Sequence, residues 1–293
     1  MINRVTNAGA SVAAQRNLQA AMQRLATIQD KASSLKEISR PSDDPAGAAN
    51  AMTVRAQQSA NEQYTRNVQD AKGWLSAVDG ALTDATSVLH QIRDLTVRGA
   101  NDGALSPSNR EAIAIELDTL KDSLLSAANT RHMGRNVFAG TTDIGAAVGP
   151  GYAMGAGLGT VERRTGESTT VRVDADGQAA FGSGGDSVFA LVDQIAADLR
   201  AGVNVSARLA DVDRHLQSVL SVQAASGARH ASVLAVEEGL LDEKVALEGQ
   251  RGSIEDADLG TVALELKVQE VAYQAALSAS ARVLQPSLMD FLR

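Results

Sequence analysis

Apolar side chains recur every three or four positions along most of the chain, which is the period of an α-helix that packs on one side. The most regular stretch predicts a helix from about residue 46 to residue 98, roughly 80 Å long at 1.5 Å per residue. Its stripe consists of Tyr64, Val68, Ala71, Leu75, Val78, Leu82, Ala85, Leu89, Ile92 and Thr96. Such a helix is far longer than those of most compact enzymes.

The start of this helix is marked by a polar motif with two prolines: Pro41, Ser42, Asp43, Asp44 and Pro45. Aspartate is a favoured N-cap and proline is favoured at the first helical position. The two carboxylates could instead form a calcium or acid-base pair, but the proline that follows favours capping. The motif therefore predicts the end of a first helix, at about residue 39, and the start of the second.

Both ends of the chain carry stripes of the same kind, which predict paired terminal helices that bury apolar side chains on each other or on a neighbouring subunit. The predicted assembly interface consists of Leu18, Met22, Leu25, Leu259, Val262, Leu266 and Tyr273. A second row at Leu264, Val268 and Val271 widens the C-terminal stripe beyond what one neighbouring helix covers. An ordinary intramolecular bundle is the alternative.

The C-terminal helix is predicted to begin at Ser253, which can act as its cap. The acidic side chains of Glu255, Asp256 and Asp258 would then lie in its first turn, where the helix dipole favours negative charge. Pro286 is predicted to kink or end this helix.

The middle of the chain changes character between residues 139 and 186, where glycine and threonine are frequent and Thr169, Val171 and Val173 alternate with period two. We interpret this segment as a small β-containing insertion. The sequence thus predicts a mainly α protein, elongated, in three parts. They are the terminal coiled-coil segments (1–42 and 253–293), a helical bundle (43–138 and 187–252) and the insertion.

Composition limits the possible functions. Aromatic residues make up only 3% of the chain, so close packing of long helices is favoured over an aromatic-rich enzyme core. A net charge of -8 without a basic cluster does not favour a nucleic-acid partner. There is no cysteine and no apolar run long enough for a membrane span. The N-terminal residues lack the pattern of a cleaved signal peptide, so we expect export by another route.

The sequence contains no convincing catalytic, cofactor or metal motif. The four histidines, His90, His132, His215 and His230, lack the close spacing of metal ligands. Residues 182–187 (GSGGDS) include the residue types of a hydrolytic loop, but no local pattern places a histidine beside them. We interpret that loop as a flexible connection and the protein as a non-enzyme.

Several segments resemble the axial proteins of the bacterial flagellum, and in particular the family of hook-associated protein 3, the flagellin-related hook-filament junction proteins. They are 33–45 (SSLKEISRPSDDP), 136–141 (NVFAGT), 254–259 (IEDADL), 273–277 (YQAAL) and 285–292 (QPSLMDFL). Flagellin is the nearest alternative, although the two prolines around residues 42–44 and the ending DFL look more like the junction family. The chain departs from the family at Leu35, where glycine is usual, and at Glu37, where a basic residue is usual.

The resemblance implies a structural protein that is exported unfolded through the flagellar type III apparatus and assembled outside the cell. Its implied partners are further copies of itself in a ring or helix, hook-associated protein 1, flagellin and an export chaperone, without nucleic acid or membrane. In that family the terminal segments fold on assembly. A secreted enzyme carried on the same scaffold is the remaining class, and it would need a catalytic insertion.

Overall fold

The computed structural model describes residues 2–101, 106–142, 145–154 and 159–284, with side chains at residue 9 and from residue 11 to residue 282 within these ranges. Pro286 and the C-terminal motif 285–292 lie outside them. Contacts divide the chain into two compact units, Met1–Ser59 with Lys244–Arg293, and Ala60–Glu243. The three-part division drawn from the sequence stays a prediction.

Seven α-helices and two short antiparallel hairpins are present in the described part of the chain. The helices are α1 (Ile2–Ser34), α2 (Pro45–Ala100), α3 (Pro107–Ala128), α4 (Gly177–Phe181), α5 (Val188–Arg200), α6 (Leu209–Glu255) and α7 (Leu259–Leu284). The strands are β1 (Arg131–His132), β2 (Arg135–Asn136), β3 (Glu162–Arg164) and β4 (Thr170–Arg172). The predicted mainly α class is therefore confirmed. No helix in these ranges combines the length and apolarity needed to cross a membrane.

The second unit is built around the stripe of α2. Its leucines, among them Leu75, Leu82 and Leu89, are fully buried and belong to one hydrophobic core with side chains of α3, α5 and α6. Two ion pairs along their contact hold α6 antiparallel to α2: Arg93 with Asp213 at 2.7 Å and Lys72 with Glu237 at 2.7 Å. The three-four spacing that the sequence predicted for the apolar side chains of α2 is thus the spacing of the side chains that this helix buries.

In the described part of the predicted β-containing insertion, the two strands are three residues long, and its side chains join the core of the second unit. Phe181 packs edge-on against Phe138 at 5.2 Å and stacks on Phe189 of α5 at 5.9 Å. The buried carboxylate of Asp174 accepts hydrogen bonds from the Val161 amide at 2.9 Å and from the Arg172 guanidinium at 3.0 Å. Asp176 caps α4, because its carboxylate accepts from the Ala179 amide at 3.0 Å.

Two helix boundaries differ from the sequence prediction. The first helix, Ile2–Ser34, ends at Ser34 instead of at about residue 39. Leu35 follows it with φ of 57°, a left-handed conformation that stops a helix. Ser253 does not cap the C-terminal helix, because α6 continues to Glu255 and the Ser253 hydroxyl donates back to the carbonyl of Gln250.

Candidate assembly site

The N-terminal and C-terminal helices pack along one another in the first unit. On α7 the side chains turned inward are those of the predicted stripe: Val262 is buried, while Leu266 and Tyr273 are half-buried. On α1, Ile28 is buried and Leu18 and Leu25 are half-buried. Part of the predicted interface is therefore already covered within one chain.

Two residues of the predicted interface remain open in the first unit. Met22 is 53% exposed and Leu259 is 61% exposed. The contact between the helices is also incomplete, because a groove of about 520 Å³ runs along them, lined mainly by polar side chains such as Gln23, Thr27 and Gln269. A second surface is thus available on each of these helices.

The second apolar row of α7 lies on the opposite side of the helix from this contact. At 100° per residue, Leu264, Val268, Val271 and Ala275 fall within about 60° of one another and about half a turn from Val262, Leu266 and Tyr273. The large members of this outer row are strongly exposed: Leu264 by 68%, Val268 by 56% and Val271 by 57%. A helix that carries apolar rows on two opposite faces requires two partners, and α1 is only one of them.

The segments next to α1 and α7 are joined by a clasp, which we define as residues 35–37 bound to residues 255–257. The Ala257 amide donates to the carbonyl of Leu35 at 3.1 Å, and the Glu37 amide donates to the carbonyl of Glu255 at 2.8 Å. Lys36 forms ion pairs with Asp256 at 2.6 Å and with Glu255 at 3.4 Å. The clasp ties the chain's two terminal regions together through main-chain and side-chain bonds.

Glu255 is the buried charge of the clasp, with a side chain only 5% exposed. The Arg55 guanidinium lies 2.8 Å from its carboxylate and, together with Lys36, lowers the pKa of Glu255 against the opposing effect of burial. Asp256 in turn raises the pKa of the Lys36 ammonium group. Because Glu255 ends α6, where the helix dipole disfavours negative charge, these two cations take the place of the favourable dipole interaction predicted from the sequence.

Asp258 is the acidic residue that caps α7. Its carboxylate accepts from the Gly260 amide at 2.9 Å and from the Thr261 hydroxyl at 3.1 Å. The motif 41–45 behaves similarly at the start of α2: Asp44 accepts from the Ala46 amide at 3.0 Å, and Asp43 accepts from the Arg40 amide at 2.8 Å. The cap at Asp258 thus marks the start of α7, and the motif 41–45 marks the start of α2.

The loop at residues 182–187 has a histidine beside it that the sequence pattern did not reveal. Ser187 and His215 line the same surface hollow of about 450 Å³, and burial lowers the pKa of His215. However, Ser187 is 1% exposed, and its hydroxyl donates to the Gly184 carbonyl at 2.7 Å and accepts from the Ala190 amide at 3.2 Å. The serine thus serves as the cap of α5 and is not free to act as a nucleophile.

Among the described residues, no group of three or more His, Asp or Glu side chains is arranged to hold a metal ion. Two arginines of the hollow beside Ser187 are held in ion pairs, since Arg214 lies 2.6 Å from Asp211 and Arg208 lies 3.1 Å from Asp198. The exposed outer row of α7 therefore remains the candidate functional site.

Comparison with known proteins shows which proteins the chain is similar to. Residues 5–143 match the model of the bacterial flagellin N-terminal helical region. The chain is thus similar to flagellin-related proteins. The resemblance to hook-associated protein 3 that the motifs indicated is confirmed: the Escherichia coli flagellar hook-associated protein 3 is 31% identical over 53% of this chain and 46% of its own length.

Flagellar hook-associated protein 3 of Salmonella typhimurium is 27% identical over a longer alignment, which covers 82% of this chain and 84% of the relative. A solved structure described as a flagellar hook-associated protein from Vibrio parahaemolyticus has a TM-score of 0.67 at 25% identity, covering 73% of this chain and 100% of that chain. Vibrio flagellins also match, over about half of this chain at most. The chain spans less than half the length of most curated relatives that it matches, 33% to 46% for the E. coli protein and the Vibrio flagellins.

Proposed function

We propose that this chain is a structural component of the bacterial flagellum that joins the hook to the filament by axial polymerisation through its terminal helices. It acts outside the cell and without catalysis. Its partners are further copies of itself, hook-associated protein 1 and flagellin, and an export chaperone accompanies it before unfolded passage through the flagellar export apparatus. The similarity to hook-associated proteins supports this assignment.

One observation carries the assembly mechanism: α7 has a second apolar row that its own chain leaves exposed. Fully burying a leucine or valine side chain stabilises a complex by about 1.5–3 kcal/mol. The row presents Leu264, Val268 and Val271 along two turns of one helix face, so an assembled neighbour that covers them gains substantial binding energy. The seven-residue interface predicted from the sequence contributes through its exposed members, Met22 and Leu259, while Val262, Leu266 and Tyr273 support the pair of terminal helices in the same chain.

The experiment compares aspartate substitutions on the two faces of α7. Val268→Asp places a charge on the outer row, and we expect the purified chain to keep its helical circular dichroism and yet to lose incorporation into flagella and motility. Val262→Asp places the charge on the covered side, so it is expected to weaken the α1 and α7 pair as well as assembly. Gln274→Asp, at an exposed polar position of the same helix, is the matched control and should assemble normally. Normal assembly of Val268→Asp would refute the mechanism.

Flagellin is the second candidate function, because several Vibrio flagellins match the chain. A flagellin grows long filaments on a seed, whereas a junction protein adds only a short zone. Electron microscopy of hook-basal bodies incubated with the purified chain separates the two. We expect short caps, and filaments that lengthen with chain concentration would replace the junction assignment by the flagellin one.

A further inference from the structure

A short hairpin in the second unit presents an exposed methionine between two arginines. Strands β1 and β2 pair in the register Arg131 with Asn136 and His132 with Arg135, which leaves Met133 and Gly134 as the two-residue turn. Met133 is 81% exposed, and both arginines are exposed as well. We call residues 131–135 the hairpin tip.

The backbone of the hairpin tip is one that a methionine does not favour. Met133 has φ of 49° and Gly134 has φ of 82°. Two consecutive positive φ angles describe the hairpin turn in which Asn-Gly or Asp-Gly is preferred, because a larger side chain is strained there. The methionine gains no packing from the described residues in return. A strained, exposed apolar side chain at a loop tip is better explained by a contact with another molecule than by the stability of the single chain.

The base of the tip is held rigidly in the second unit. The His132 ring packs on the Trp74 ring with centroids 5.4 Å apart, and Gly73 lets that ring approach α2, since a Cβ at this glycine would lie 3.0 Å from the imidazole. Arg131 donates to the Asn136 side chain at 3.2 Å. The tip is therefore preorganised, which lowers the entropy cost of any contact that it makes.

A surface with the opposite charge and a matching apolar character lies on α6 in the same unit. Leu234 and Leu241 are 46% and 57% exposed, and the carboxylates of Glu238 and Asp242 are exposed beside them. Neither carboxylate forms an ion pair within the described ranges of the chain. We call these four residues the acidic stripe of α6.

The two surfaces are complementary in charge and in apolar character. Arg131 lies opposite Asn136 and Arg135 lies opposite His132, so the two arginines extend from opposite faces of the hairpin, one on each side of Met133. With the tip end-on to α6, Met133 meets the exposed leucines, and the arginine on each side faces one carboxylate of the i, i+4 pair Glu238 and Asp242, which are about 5–6 Å apart. Methionine adapts its shape readily to such a surface.

We propose that the hairpin tip of one subunit docks on the acidic stripe of α6 in a second copy of this chain. The inference rests on the proposed function, because only an assembly places copies side by side many times. One contact of this size buries too little area to hold a dimer alone. Repeated around a ring or helix, the same contact gains strength through multivalency and fixes how neighbouring subunits are oriented.

The absence of cysteine from the native chain allows a direct test by disulfide trapping. One full-length preparation carries Met133→Cys and the other Leu241→Cys, and the two are mixed under mild oxidation. We expect the mixed disulfide, identified by peptide mass spectrometry, at several times the yield obtained when Ser221→Cys, an exposed α6 position away from the stripe, replaces Leu241→Cys. Equal yields would overturn the proposal.

Charge reversal makes the test specific for the tip. Adding Arg131→Glu and Arg135→Glu to the Met133→Cys chain should lower the yield of the mixed disulfide about tenfold, because two attractive pairs become repulsive. Adding Glu238→Arg and Asp242→Arg to the partner should restore it. A yield that does not respond to these charges would overturn the proposal, and circular dichroism confirms that each variant is folded.

The result is separable from the test of the proposed function. The trapping experiment reports on the tip without flagella, whereas Val268→Asp reports on assembly through α7. Failure of trapping together with loss of assembly in Val268→Asp removes this contact and keeps the function. Successful trapping together with normal assembly of Val268→Asp keeps the contact and removes the assembly mechanism assigned to α7.

Discussion

Leu35 occupies a backbone conformation that suits glycine. It follows the last residue of α1 with φ of 57°, and its carbonyl accepts the Ala257 amide of the clasp. Helices commonly end with a left-handed residue at this point, usually glycine, because a Cβ is disfavoured there. The glycine that the hook-associated protein family usually has at this position is thereby explained, since it would adopt the same turn without strain.

Replacing Leu35 with glycine should therefore stabilise the chain. Relief of the left-handed strain is worth about 1 kcal/mol, and little packing is lost because the side chain is 47% exposed. We expect a higher urea midpoint for the loss of helical circular dichroism. Leu35→Ala removes the same side chain but keeps the strain, so it should show no gain. An equal effect of both substitutions would contradict this explanation.

Glu255 gives the clasp a dependence on pH. Its pKa is lowered in the folded chain by Arg55, so the stabilisation that it provides is present above the unfolded value of about 4.3 and is lost as the pH falls through the lower folded value. The clasp should consequently open in acid.

The amides of Glu37 and Ala257 report on the clasp through hydrogen exchange. Their protection, corrected for the intrinsic exchange rate, should be lower near pH 3 than at about pH 7 in the native chain. Glu255→Gln should reduce protection at neutral pH and flatten this dependence. Glu248→Gln, an exposed position of the same helix without a partner in the described part of the chain, should behave as the native chain does. An unchanged profile in Glu255→Gln would assign the stability of the clasp to its backbone bonds alone.

At the scale of the helices, hydrophobic period was enough to predict α2 and the two faces of α7. It could not decide which face of α7 is covered within the chain, because both rows have the same helical period. Nor could it find the end of α6, since nothing local breaks the helix at Ser253. The ion pairs of Glu255 join residues as much as 219 positions apart, and such pairs leave no mark in a local pattern.

The hairpin of β1 and β2 was also not predicted from the sequence. Its turn, Met133 with Gly134, lacks the Asn-Gly or Asp-Gly pattern by which such turns are predicted. The alternation at residues 169–173 did reveal β4, although not that its neighbours would share the core of the helices. The resemblance to hook-associated proteins was found from several short motifs at both ends of the chain. The hydrophobic period of a single helix could not have indicated it.

At the scale of the whole chain, the residues that are farthest apart in sequence form one unit, while the residues between them form another with its own core. Among the described residues, both units carry uncovered surfaces, which include the outer row of α7 in one unit, and the hairpin tip and the acidic stripe of α6 in the other. The proposed assembly would cover these surfaces when copies of the chain adjoin. The described part of the single chain thus has packed cores and open surfaces, as the proposed function requires.

The most direct test of the central claim measures the exposure of the outer row before and after assembly. Val268→Cys introduces the chain's single thiol, so the rate of its reaction with a maleimide reports on this position alone. We expect fast labelling in the purified chain and labelling slowed by at least about tenfold in isolated flagella, while Glu248→Cys labels at similar rates in both. Equal labelling of Val268→Cys in the free and assembled states would contradict the claim that a neighbouring subunit covers this face of α7.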